Sequence, residues 1–100
     1  MVKPHRSRKY LDLAEGQSCI RCGAQDGTIV AAHYCGQYQH RLGKGMGQKV
    51  ADVVSAHLCA RCHSHFDQYM DGASDERDSE FLALCWDTLL RNIRRGEVAV

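Results

Sequence analysis

Two matching cysteine pairs, Cys19-Ile20-Arg21-Cys22 and Cys59-Ala60-Arg61-Cys62, constrain this chain more than any other feature. Two residues between cysteines let both sulfurs of one turn reach the same ion while backbone amides point at them. Two such turns complete a tetrahedral shell of soft ligands, each about 2.3 Å from the metal. A chain of 100 residues makes one domain, spanning residues 1–100, with a core small enough to need a staple. A structural zinc can supply on the order of 10 kcal/mol to folding, against a usual total stability of about 5 kcal/mol for a small domain. Cys19, Cys22, Cys59 and Cys62 are therefore expected to hold a structural Zn²⁺. The competing readings are a redox dithiol, which two matching pairs disfavour, and an iron–sulfur cluster. Gly23 to Leu58 is too long for a zinc-ribbon spacing, so something substantial is inserted between the pairs.

Six cysteines also suit a disulfide-bonded secreted domain. The start, Met1-Val2-Lys3-Pro4-His5-Arg6-Ser7-Arg8-Lys9, is basic with no apolar run after it, unlike a secretory signal. No apolar run has the length of a membrane span. A cytoplasmic protein with reduced thiols and no membrane partner is the expectation, and reduced thiols favour metal. Of the two cysteines left over, Cys85 lies on an apolar stripe and reads as core, whereas Cys35 is ambiguous.

Ser7 to Glu15 has helical character, with Gly16 placed to stop it. Thr28 to Tyr34 is β-rich and reads as a strand. Gly36 to Gly47 has loop composition. Val50 to Leu58 reads as a second strand, with helix remaining open because of Ala51 and Ala56. A helix is expected from His63 to Met70, closed by Gly72. A last helix is expected over about 75–95, with Ser74 as cap, Asp75 and Glu76 at its positive end, and Gly96 as its stop. Phe81, Cys85, Leu89 and Ile93 form its expected packing stripe, widened by Leu82, Trp86 and Leu90.

The insert and its flanks carry the chemistry. His33 closes the first strand. His63 and Asp67 are four apart, so on a helix they share one face, with Cβ atoms about 6 Å apart. An imidazole and a carboxylate so placed can hold a divalent ion and leave positions open for water and a phosphate oxygen. A histidine across from that ion can deprotonate water at neutral pH, since its ordinary pKa is near 6.5. Each piece alone is more often structural; their joint placement around the cysteine pairs gives the pattern its weight.

Cys-x-x-Cys, then Ala32-His33 at a strand end, then Leu58-Cys59-x-x-Cys62-His63-x-x-x-Asp67 resembles the HNH or His-Me finger endonucleases. In particular it looks like the short prophage-encoded YbcO-like nucleases. The resemblance runs from about Arg6 to Val100. Its most specific segments are Gly43-Lys44-Gly45-Met46-Gly47-Gln48-Lys49, Asp52, and Leu58 through Asp67. It implies an α+β fold of ββα-metal type with flanking N- and C-terminal helices. It implies His33 as general base, His63 and Asp67 as ligands of a catalytic Mg²⁺ or other divalent ion, and the four cysteines as the structural zinc cage. Many HNH enzymes carry a further metal ligand, Asp or His, where this chain has Ala32. Many also carry an Asn that orients the base, and Asp52 or His57 could take that role here.

The net charge is only +1, but cations cluster at the N-terminus, in the middle and at the end. Such clusters can form a local phosphate-binding face. DNA is the expected partner, with Arg6, Arg8, Lys9, Arg41 and Lys44 on its backbone and His40 a further loop residue in reach. The expected activity is divalent-metal-dependent hydrolysis of DNA phosphodiesters. The alternatives are a non-catalytic zinc-dependent nucleic-acid-binding module and a zinc-stapled protein-interaction domain.

Overall fold

A computed structural model describes residues 5–36, 49–67 and 75–98. The elements follow in the order α1 (Arg8–Asp12), β1 (Val30–His33), β2 (Ser55–Leu58), α2 (Ala60–Asp67) and α3 (Asp75–Arg94). Ser7 starts α1 as its sequence position implies, its hydroxyl accepting the Tyr10 amide at 3.1 Å. The helix is shorter than the expected Ser7 to Glu15. Past Asp12 the amides of Leu13, Ala14 and Glu15 bond three residues back, to Tyr10, Leu11 and Asp12, which tightens the last turn. Gly16 then takes a left-handed φ of +75° and ends it.

The two strands pair antiparallel, with Val30 opposite Leu58, Ala31 opposite His57, Ala32 opposite Ala56 and His33 opposite Ser55. All four residues of β2 are buried. The second strand is half the length expected from Val50 to Leu58, and no part of that stretch is helical. Its first half is a turn because Asp52 is drawn towards the N-terminal segment. The Asp52 amide donates to the His5 carbonyl at 2.9 Å, Val54 N–H donates to Ala51 O at 2.9 Å, and Ser55 Oγ donates to Asp52 O at 2.7 Å.

Helix α2 begins three residues before the expected His63, so the second cysteine pair lies against its first turn, with His63 N–H donating to Cys59 O at 2.9 Å. Met70, Gly72 and Ser74 lie outside the described residues. Helix α3 ends as expected. Gly96, at φ +76°, donates to Ile93 O and Glu97 donates to Asn92 O, both at 3.0 Å, the paired bonds that cap a helix by way of a left-handed residue.

The packed face of α3 differs from the expected stripe. Its buried residues are Asp78, Phe81, Leu84, Cys85, Thr88 and Asn92, while Trp86 is 61% and Leu90 39% exposed. Polar Thr88 and Asn92 turn inward because α3 crosses β2, where the Thr88 hydroxyl accepts the His57 amide at 3.2 Å. Phe81 stacks on Phe66 of α2, with ring centroids 4.6 Å apart, and meets Tyr34 edge-on at 5.7 Å. Burying each such ring stabilises by roughly 2–3 kcal/mol. Among the described residues, no helix is long and apolar enough to cross a membrane.

The Tyr34 hydroxyl donates a buried hydrogen bond to the Asp78 carboxylate. Gly36 lies directly against that pair, where a Cβ would overlap both the carboxylate and the hydroxyl. Gly36→Ala is expected to destabilise by about 2 kcal/mol, from overpacking and a weakened buried bond. Chemical denaturation would measure it as a lowered midpoint with unchanged slope.

Candidate metal centre and adjoining cleft

The first cysteine turn is closed by Gly23 N–H donating to Cys19 O at 2.9 Å and by Cys19 N–H donating to Ala24 O at 2.8 Å. Gly23 has φ +82°, a conformation glycine adopts without a Cβ clash. Ile20 N–H donates to the His57 carbonyl at 2.8 Å, which pins this turn to β2 immediately before the second pair. The result brings Cys19, Cys22, Cys59 and Cys62 together, with their sulfurs within 4.8 Å of one another. Cys22 Sγ lies 3.7 Å from Cys59 Sγ. Tetrahedral ligands at about 2.3 Å from a zinc ion are about 3.8 Å apart, so the donor set and spacing fit that metal. The cage is continuous with the core: Cys19, Cys59 and Cys62 are buried, and only Cys22 reaches solvent.

Crowding explains why these thiols suit a cation. At Cys19, burial opposes ionisation, but the backbone amides of Cys59, Cys22 and Arg21 outweigh it and lower the pKa. At Cys62, burial and the neighbouring sulfurs push the thiol up despite a hydrogen bond from Arg21. Four adjacent thiolates repel one another, and a dication removes that conflict. Arg21 braces the cage from outside, with Nη1 3.6 Å from Cys62 Sγ and Nε 3.1 Å from Glu80 Oε2.

Beside the cage, β1 and α2 border a cleft of about 360 Å³ lined by Ala31, Ala32, His33, Tyr34, Cys35, Lys49, Val50, His63 and Asp67. All three residues proposed from sequence for phosphodiester chemistry therefore line one cavity. His63 Nε2 is 3.3 Å from Asp67 Oδ2 along α2, so this imidazole and carboxylate do share a helix face. Among the described residues, the four cysteines are the only group of three or more such side chains close enough to share an ion. Ala32, the position where the resemblance would set a further ligand, is buried in the core.

His33 is held by a carboxylate. Its Nε2 lies 2.8 Å from Asp52 Oδ1. The Ser7 amide donates to Asp52 Oδ2 at 2.6 Å, and Arg6 Nη1 donates to Asp52 Oδ1 at 3.0 Å. Burial works against the charged form of Asp52, but these three partners prevail and hold its carboxyl below the ordinary carboxylate value. An ionised carboxylate on Nε2 selects, for the neutral imidazole, the tautomer with its proton on Nε2 and its lone pair on Nδ1. His57, the other residue weighed for orienting His33, is fully buried and engaged elsewhere. Arg91 Nη2 lies 2.8 Å from its Nδ1, and burial, followed by the charges of Arg91 and Arg95, pushes its pKa down to about 4.

The proposed backbone cations fare differently. Arg6 is committed to the protein, since besides Asp52 it donates to Val50 O at 2.7 Å and Lys49 O at 2.8 Å. Arg8 and Lys9 are exposed, and Arg8 has a loose ion pair of 3.9 Å with Asp12. Arg41, Lys44 and His40 lie outside the described residues. Sequence reasoning counted Lys49 only within the middle cluster of cations and assigned it no place in the site, where it lines the cleft, and left Asp52 as one of two options. A signal for Asp52 existed: it and Asp26 are the only acidic residues between the cysteine pairs. Comparison with known proteins finds no matching family model, no matching curated protein and no matching solved structure.

Proposed function

We propose that this protein is a divalent-metal-dependent endonuclease of HNH type that hydrolyses DNA phosphodiester bonds, with an origin in a phage or prophage. The observation that carries the reading is the Asp52-held His33 facing the same cleft as His63 and Asp67. A strand pair followed by a helix, stapled at its base by the cysteine cage, is consistent with a ββα-metal core. His33 Nδ1 takes a proton from water, and the oxygen of that water attacks phosphorus as the bond to the leaving oxygen breaks. Asp52 keeps the imidazole in the tautomer and orientation this requires. His63 and Asp67 would hold Mg²⁺ or a similar ion, which supplies positive charge to the developing oxyanion. Arg8 and Lys9, exposed at the start of α1, would add backbone contacts, which position DNA without specifying sequence.

A second reading has its own observation. With buried Ala32 supplying no ligand, two protein donors hold the ion, and a non-catalytic zinc-dependent DNA-binding module follows if that is too few. Zinc-loaded protein incubated with supercoiled plasmid under Mg²⁺, Mn²⁺ or EDTA separates the two. Nicking with either ion and none in EDTA is the expected result. Salt-sensitive binding without nicking transfers the assignment to the module.

A further inference from the structure

We propose that Lys49 is the cation that binds the phosphodiester in the cleft, through a non-bridging oxygen of the bond being cut. The inference rests on the endonuclease reading and adds the group that positions the substrate. His33, His63 and Asp67 line the cavity with two imidazoles and a carboxylate, a set that can take up a proton and hold a cation. None of the three carries a fixed positive charge to attract an anionic ester. Lys49 lines the same cleft and can supply that charge; it is exposed and forms no ion pair among the described residues.

Its backbone is fixed more firmly than a surface lysine requires. Arg6 Nη2 donates to the Lys49 carbonyl at 2.8 Å and Arg6 Nη1 to the neighbouring Val50 carbonyl at 2.7 Å. Val50 itself is fully buried. The same guanidinium holds Asp52, and Asp52 holds His33. One arginine thus ties the backbone of Lys49 to the carboxylate that holds the general base. That is the arrangement needed to place phosphorus against a water activated at His33, because positioning to within about 1 Å governs such reactions. An ammonium serves as a point charge on phosphate, with three rotatable donors that tolerate movement of the ester along the reaction path.

The test uses the full zinc-loaded chain, with a fluorescent DNA duplex for binding and supercoiled plasmid with Mg²⁺ for cleavage. Lys49→Met should reduce the slope of log affinity against log salt by about 0.9, the loss of one phosphate contact. It should lower kcat by about 10²-fold, the worth of one transition-state donor, with zinc content and melting unchanged. Lys49→Arg should restore the slope and much of kcat. An unchanged slope in Lys49→Met overturns the proposal whether or not the wild type cuts. A reduced slope with unchanged kcat puts the contact on a flanking phosphate and overturns the assignment to the ester being cut. If the wild type binds but never cuts, the endonuclease reading fails by itself, and the slope still decides whether Lys49 holds phosphate.

Discussion

Cys59→Ser is expected to yield a chain that retains no zinc and unfolds without a cooperative transition, whereas the wild type carries one zinc per chain. Cys59 is 2% exposed and sits where β2 hands over to α2, with its carbonyl accepting the first amide bond of that helix. Its sulfur, 3.7 Å from that of Cys22, ties the second pair to the first. A serine hydroxyl is a hard, protonated donor and a poor substitute for thiolate on zinc. Since structural zinc contributes on the order of 10 kcal/mol in small domains and total stability is about 5–15 kcal/mol, losing the ion removes most or all of the folding free energy. The core makes this worse. Cys19, Cys59 and Cys62 belong to the same buried cluster as Leu58, Phe66 and Phe81, so releasing the metal opens the centre of the molecule. Elemental analysis with a far-ultraviolet melting curve checks the expectation. A well-folded wild type without zinc would sink it, and iron in place of zinc would move the cage to the iron–sulfur alternative.

His33→Ala should lower cleavage by roughly 10²–10⁴-fold, the usual worth of a positioned acid–base group, while zinc content stays at the wild-type level. The ring is partly exposed at the cleft and outside the sulfur cage. Truncation removes one partner of Asp52 but leaves Arg6 and the Ser7 amide on that carboxylate. The stability loss should therefore be limited to about 1 kcal/mol. Asp67→Ala should also lower cleavage sharply at ordinary metal concentration, by a different route. Asp67 is exposed near the end of α2, where substitution costs about 0.5 kcal/mol or less. Its removal should raise the Mg²⁺ or Mn²⁺ concentration needed for half-maximal nicking, which His33→Ala should leave in place. Plasmid nicking titrated with metal ion measures both. Cleavage by His33→Ala at the wild-type rate would assign the chemistry to another group.

The sequence by itself determined the cage, because ligand spacing is local chemistry: two residues between cysteines form the same turn in many settings, and only the meeting of the two turns is tertiary. It also determined that Ser7 starts a helix and that Gly16 and Gly96 stop helices, since capping depends on a few neighbouring residues. That His63 and Asp67 share a helix face followed from the helical period alone. Tertiary structure decided the rest. The turn at Ala51 to Val54 replaced an expected strand because Asp52 pairs with Arg6, the Ser7 amide and His33, partners distant in sequence. Arg6 became a clamp for the same reason, although its composition and position read as a phosphate contact. On α3, periodicity marked an apolar stripe but not which edge of it would meet β2, so Trp86 emerged exposed and Asn92 buried. Local pattern fixes what a helix or turn can present, and the packing of distant segments fixes which side chains meet; the choice of Asp52 over His57 as the partner of His33 was of that second kind.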